Sequence, residues 1–71
     1  MDKEIKLLNN LKQIRQEKKI FQEELAKLAG TTRQTIIAIE KGQFNPSTKL
    51  ALILSTLLDV KVEDLFYIEK N

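Results

Sequence analysis

Arg33 and Gln34 stand side by side at the head of a short segment that also carries Thr32 just before it and Ile37, Ala38 and Lys41 along it. These residue types can read a nucleic-acid duplex. An arginine grips guanine O6 and N7 with two hydrogen bonds, and a glutamine does the same at adenine N6 and N7. Methyl surface from isoleucine or alanine can meet the thymine methyl group. To act together they must share one flank of a helix. Ile36 and Ile39, three apart, supply the opposite flank. If they point inward, Gln34, Ile37, Ala38 and Lys41 point outward, with Thr32 and Arg33 at the leading end. An outward isoleucine is a small liability on a soluble helix, which fits a partner surface there. Taken singly, each side chain is more simply ordinary surface. The set, combined with the packing pattern, points to base recognition.

Other chemistries find little support. The chain has no cysteine and no histidine, so there is no disulfide or thiolate metal site, and zinc is nearly excluded. The acids Glu23, Glu24, Glu63 and Asp64 fall near expected helix N-termini, where they are most simply read as dipole-stabilising surface charges. The two glycines lie twelve residues apart, so no glycine-rich phosphate loop exists. No catalytic residue, metal or cofactor is expected, and the chain is not read as an enzyme.

Seventy-one residues make one domain, small enough that a single apolar core must hold it, extended if the chain dimerises. The apolar run Leu50 to Leu54 is far too short to cross a bilayer, and no signal-type segment precedes it. The absence of cysteine is compatible with a reducing cytoplasm, where the protein is expected. Net charge is +2, with six Lys/Arg against three acids in residues 1–19 and near balance beyond. A basic first helix suits a phosphate-facing element, and equally an ordinary solvated face.

The elements that must position the base-reading set follow from apolar spacing and end signals. Leu7, Leu8, Leu11 and Ile14 recur at helical intervals, predicting a first helix from about Lys3 to Lys18. The second runs from Gln22 to Ala29, with Leu25, Ala26, Leu28 and Ala29 as its apolar side. Gly30 suits the left-handed position that ends a helix. Thr32 can cap the third helix, Arg33 to Glu40, and Gly42 ends it. Gln43 to Ser47 is loop, since proline disfavours helix at the residue before it and Ser47 is a good cap. The fourth helix, roughly Thr48 to Leu58, has Leu50, Ile53, Leu54, Leu57 and Leu58 on one face. A break at Asp59 to Lys61 precedes a short fifth helix, Val62 to Tyr67. No strand-like alternation is evident, so the fold class is all-α: a compact five-helix bundle. The second and third helices form a helix-turn-helix over about residues 22–40, with Ala26 small at the crossing so that the backbones can approach.

In the stretches LKQIRQEKKIFQEELAKLAGTTRQTIIAIEKG, FNPSTKLALILSTLLDV and VEDLF, the chain resembles the Cro/phage-repressor-like (XRE-type) helix-turn-helix family, in its short stand-alone bacterial form. The resemblance spans about Asn10 to Phe66. It implies a lambda-repressor-like five-helix fold, double-stranded operator DNA as partner and a homodimer on a palindromic site. By position it assigns base contacts to Thr32, Arg33, Gln34, Ile37 and Ala38, and DNA-backbone contacts to Gln22, Thr35, Lys41, Phe44 and Asn45. A helix N-terminus attracts phosphate, which suits Gln22. Arg15 and Glu40 match a structural ion pair tying the first helix to the third, and a pair of that kind orients more than it stabilises.

Three positions depart from the family pattern. Phe21 replaces the usual Ser/Thr/Asn cap of the second helix, at a cost of about 1 kcal/mol; either it packs on the core in compensation or the helix begins elsewhere. Lys61 replaces a common cap before the fifth helix, and Asp59 sits where glycine often ends the fourth, so the C-terminal element is expected to be looser or differently angled. The dimer surface is expected on the end of the fourth helix and the fifth, including Leu58, Val60, Leu65, Phe66 and Tyr67, unless these residues merely close the core of a monomer.

The leading expectation is a transcriptional regulator, acting as a repressor. An alternative is the antitoxin of a toxin–antitoxin pair, which binds its own promoter and a toxin protein. Antitoxins often carry an extra segment for that contact, and only four or five residues follow the fold here. A third is an adaptor bundle that no longer binds DNA. No membrane partner and no small-molecule effector are expected.

Overall fold

The structure, a computed structural model, describes residues 5–69. Among them are five helices and two short strands: β1 (Lys6–Asn9), α1 (Leu11–Glu17), α2 (Gln22–Ala29), α3 (Arg33–Glu40), α4 (Thr48–Leu57), α5 (Val62–Leu65) and β2 (Phe66–Glu69). The helical architecture is the expected one. Two elements at its margins are not.

The first helix begins at Leu11. Of its expected first half, Lys3 lies outside the described residues, and Lys6–Asn9 is a strand. The last helix stops at Leu65, and Phe66–Glu69 pairs with β1 as an antiparallel ribbon. Lys6 faces Glu69, Leu7 faces Ile68, Leu8 faces Tyr67 and Asn9 faces Phe66. A two-stranded ribbon is marginal alone. Here Phe66 is buried and Leu7 packs against the core. Asn10 also reaches across, its N–H donating to the Leu65 carbonyl at 2.9 Å and its side-chain amide to the Asp64 carbonyl at 3.1 Å.

The core is built from positions on different helices. Leu11, Leu25, Ile36, Ile39, Leu54, Leu58 and Leu65 are all essentially inaccessible. Each such side chain contributes about 1.5–3 kcal/mol relative to exposure. Leu58, Leu65 and Phe66 therefore belong to the interior of one chain and are not available as a dimer surface, which corrects that expectation. Of the five residues named for it, Tyr67 is exposed and Val60 half-buried.

Leu28 also departs from its expected place. It lies roughly 110° around the axis from the centre of the Leu25–Ala26–Ala29 face and is 59% exposed. Asp59, standing where glycine often closes the fourth helix, adopts the left-handed φ of 57° itself. Lys61 precedes α5 without a side-chain cap. Among the described residues, no helix is long and apolar enough to cross a membrane.

Candidate nucleic-acid interface

The geometry of the helix pair follows from three local devices. Gly30 ends α2 at φ 75° and ψ 28°, a left-handed conformation that penalises any β-carbon. The chain then turns through Thr31, whose N–H donates to the Ala26 carbonyl at 2.9 Å. Thr32 opens α3 from an extended conformation, its hydroxyl accepting the Thr35 N–H at 3.2 Å. The Thr32 and Thr35 hydroxyls lie 3.0 Å apart. Thr35 is thus half-buried and engaged with the cap.

Ile36 and Ile39 are fully buried, which fixes the rotation of α3. Gln34 and Lys41 stand opposite them and are exposed, and Arg33 is exposed at the leading end beside Thr32. Ile37 and Ala38 flank this surface and are half-buried. In the loop beyond, Phe44 and Asn45 are both exposed, Phe44 to 47%. The structure thus brings the residues expected to read bases onto one side of α3 and its ends, with the loop residues following it.

The trailing end of α3 is held from three directions. Arg15 Nε lies 2.6 Å from Glu40 Oε2 and Arg15 Nη2 3.3 Å from Oε1, a two-pronged ion pair with side chains only 8% and 4% exposed. Arg15 Nη1 donates to the Ile20 carbonyl at 2.8 Å, so the guanidinium is bonded on all three nitrogens. This buried pair links α1 to α3. It also commits Arg15 to the interior, leaving Lys12 on α1 and Lys18 and Lys19 just beyond it as the exposed cations of this region.

Gln22 Nε2 donates to Glu40 Oε1 at 3.0 Å. A side-chain amide has two N–H groups, so one remains for a phosphate while the other is tied to α3. The third hold is Asn9, which the sequence reading overlooked. Its amide donates to the Ile39 carbonyl at 3.0 Å, and its Oδ1 accepts the Leu11 N–H at 3.0 Å. One side chain thereby starts α1 and fastens the end of α3. The paired asparagines before Leu11 were the available signal, since asparagine favours helix starts.

Phe21 is the clearest correction. It does not pack on the core: it is 79% exposed, and α2 begins at Gln22 with no side-chain cap. It lines an open groove of about 610 Å³ together with Glu23, Glu24, Ala26, Lys27, Thr31 and Arg33.

A helix whose buried face is locked, whose leading end offers arginine and glutamine, and whose predecessor crosses it at a glycine turn is the form used to enter the DNA major groove. Comparisons with known proteins agree. A helix-turn-helix family model matches residues 11–65. An uncharacterised HTH-type transcriptional regulator of Methanocaldococcus jannaschii is 51% identical over 63 residues, covering 89% of this chain and 96% of the relative. One from Bacillus subtilis is 42% identical over 63 residues, covering 89% and 96%. Among solved structures, the restriction-modification controller protein C.AhdI from Aeromonas hydrophila is similar with a TM-score of 0.72 and 37% identity, over 76% of this chain and 78% of that one. A Bacteroides fragilis structure superposes with a TM-score of 0.80 and 26% identity, over 86% and 98%. The chain belongs to the Cro/C1-type (XRE) helix-turn-helix family of DNA-binding transcriptional regulators, which are not enzymes.

Proposed function

We propose that the protein is a repressor that inserts α3 into the major groove of a palindromic operator as a homodimer. The observation that carries this is the division of α3 into a fully buried flank, Ile36 and Ile39, and an exposed one bearing Arg33, Gln34 and Lys41. Arg33 and Gln34 read base edges by paired hydrogen bonds, and Ile37 and Ala38 add apolar contact at the rim. Thr32 supports the leading end. Gln22, Thr35, Lys41, Phe44 and Asn45 meet the sugar–phosphate backbone and set the register.

Two recognition helices must stand about 34–36 Å apart to enter successive grooves. With Leu58, Leu65 and Phe66 committed to the core, the surface that best supports pairing is a strip on α4. There Leu52 is 49% and Leu57 36% exposed beside half-buried Ile53. Exposed apolar surface gathered on one helix face suits association.

Selecting bound sites from a randomised duplex library tests the reading. A two-fold symmetric site with half-sites one helical turn apart is expected, together with loss of the preference when Arg33 and Gln34 are both replaced by alanine. Absence of any preferred sequence would overturn it. An apparent mass of about 8 kDa at high concentration would count against the homodimer.

A further inference from the structure

We infer that Phe21 is a DNA contact: its ring packs against the apolar surface of the duplex beside the base that Arg33 reads. The inference deepens the proposed function and rests on α3 being the base-reading helix.

Phe21 is the most exposed large apolar residue described, at 79%. It occupies the N-cap of α2 with φ −75° and ψ 154°, a conformation in which serine or threonine would accept a helix N–H. Phenylalanine there leaves the cap unmade and leaves its ring in water, two local disadvantages with no compensating contact in the core. Both are explained if a partner covers the ring.

Its location identifies the partner. Phe21 shares its groove with Arg33 on one side, and it lines a second groove with Arg15, Gln22, Glu23 and Arg33. The ring is therefore continuous with the leading end of α3, on the face that meets the duplex. The contact is apolar because a phenyl ring carries no donor for a phosphate oxygen. Backbone phosphate at this helix end falls instead to the neighbouring Gln22, the first residue of α2. Two features of a duplex offer apolar surface within reach of a base-reading arginine: the thymine methyl group in the major groove, and the deoxyribose methylene groups of the adjoining backbone.

The experiment compares the wild type, Phe21→Ser, Phe21→Ala and Arg33→Ala on the duplex the wild type selects from a randomised library. Phe21→Ser is expected to bind about tenfold more weakly, while its Tm rises by about 4 °C or more because serine restores the cap. Phe21→Ala should lose similar affinity without the gain in Tm. Weakened binding by a better-folded protein cannot be attributed to unfolding.

Replacing thymines one at a time by deoxyuridine separates the two surfaces. A loss at one position in the wild type but not in Phe21→Ser assigns the ring to a methyl group. An even loss for Phe21→Ser with no deoxyuridine effect assigns it to deoxyribose. If Phe21→Ser and Phe21→Ala bind like the wild type while Arg33→Ala loses its preference, the inference is overturned and the proposed function stands. If Arg33→Ala also keeps its preference, both fall.

Discussion

The two ends of α3 are treated in opposite ways by the rest of the chain. At the leading end Arg33 and Gln34 are exposed, and among the described residues the side-chain bonds nearby are the local ones between Thr32 and Thr35. At the trailing end Glu40 is held by Arg15 and Gln22, and the Ile39 carbonyl is held by Asn9. Elements distant in sequence converge on the trailing end alone. Recognition needs side chains free to meet bases, but on a helix whose direction is fixed. Clamping one end and presenting the other satisfies both requirements.

This contrast can be broken most severely at Glu40. Glu40→Ala leaves Arg15 buried with its main partner gone, and should destabilise the protein by about 3–5 kcal/mol in chemical denaturation. For a chain this small that is a large part of its total stability. A loss below 1 kcal/mol would show the clamp to be ornamental.

Arg33→Ala addresses the opposite end. It should reduce discrimination at one base pair by about 1–3 kcal/mol in competition binding while leaving Tm within error. A changed Tm with unchanged selectivity would reverse the assignment of the two ends.

Asn9→Ala should cost about 1–2 kcal/mol of stability, since one side chain serves a helix start and a carbonyl of α3. If the clamp orients α3, the variant should also bind all sequences somewhat more weakly, without altering their order. The smallest effect is expected at Thr32→Ala, about 1 kcal/mol of stability. Amide exchange should then quicken in the first turn of α3 and not in its last.

The same asymmetry governs what could be read from sequence. The helix pair was legible because its determinants are local. Gly30, Thr32 and the isoleucines at 36 and 39 each act within a few residues of where they stand. The ribbon was not legible. Leu7 and Leu8 fall at helical intervals from Leu11 and Ile14, so the periodicity continued past the point where Asn9 and Asn10 begin the true helix. The strand they belong to exists through partners some sixty residues away, and a four-residue strand has too little alternation to announce itself. Burial of Leu65 and Phe66 is hidden from the sequence for the same reason: it comes from the packing of the ribbon and α5, which no local pattern reveals. The bond from Gln22 to Glu40 is invisible in the sequence because it depends on the crossing of α2 over the end of α3. Phe21 was recognised as a missing cap, but its exposure depended on where the groove beside Arg33 opens.

Pairing of Lys6 with Glu69 sets the outer ends of β1 and β2 side by side. Topologically the described segment is nearly a ring. A short linker joining those two positions, with a new opening between the exposed Lys18 and Lys19, would yield a circular permutant with every helix in place. The points of attachment for a fused reporter or effector module would then move to the turn between α1 and α2, without altering the outward flank of α3.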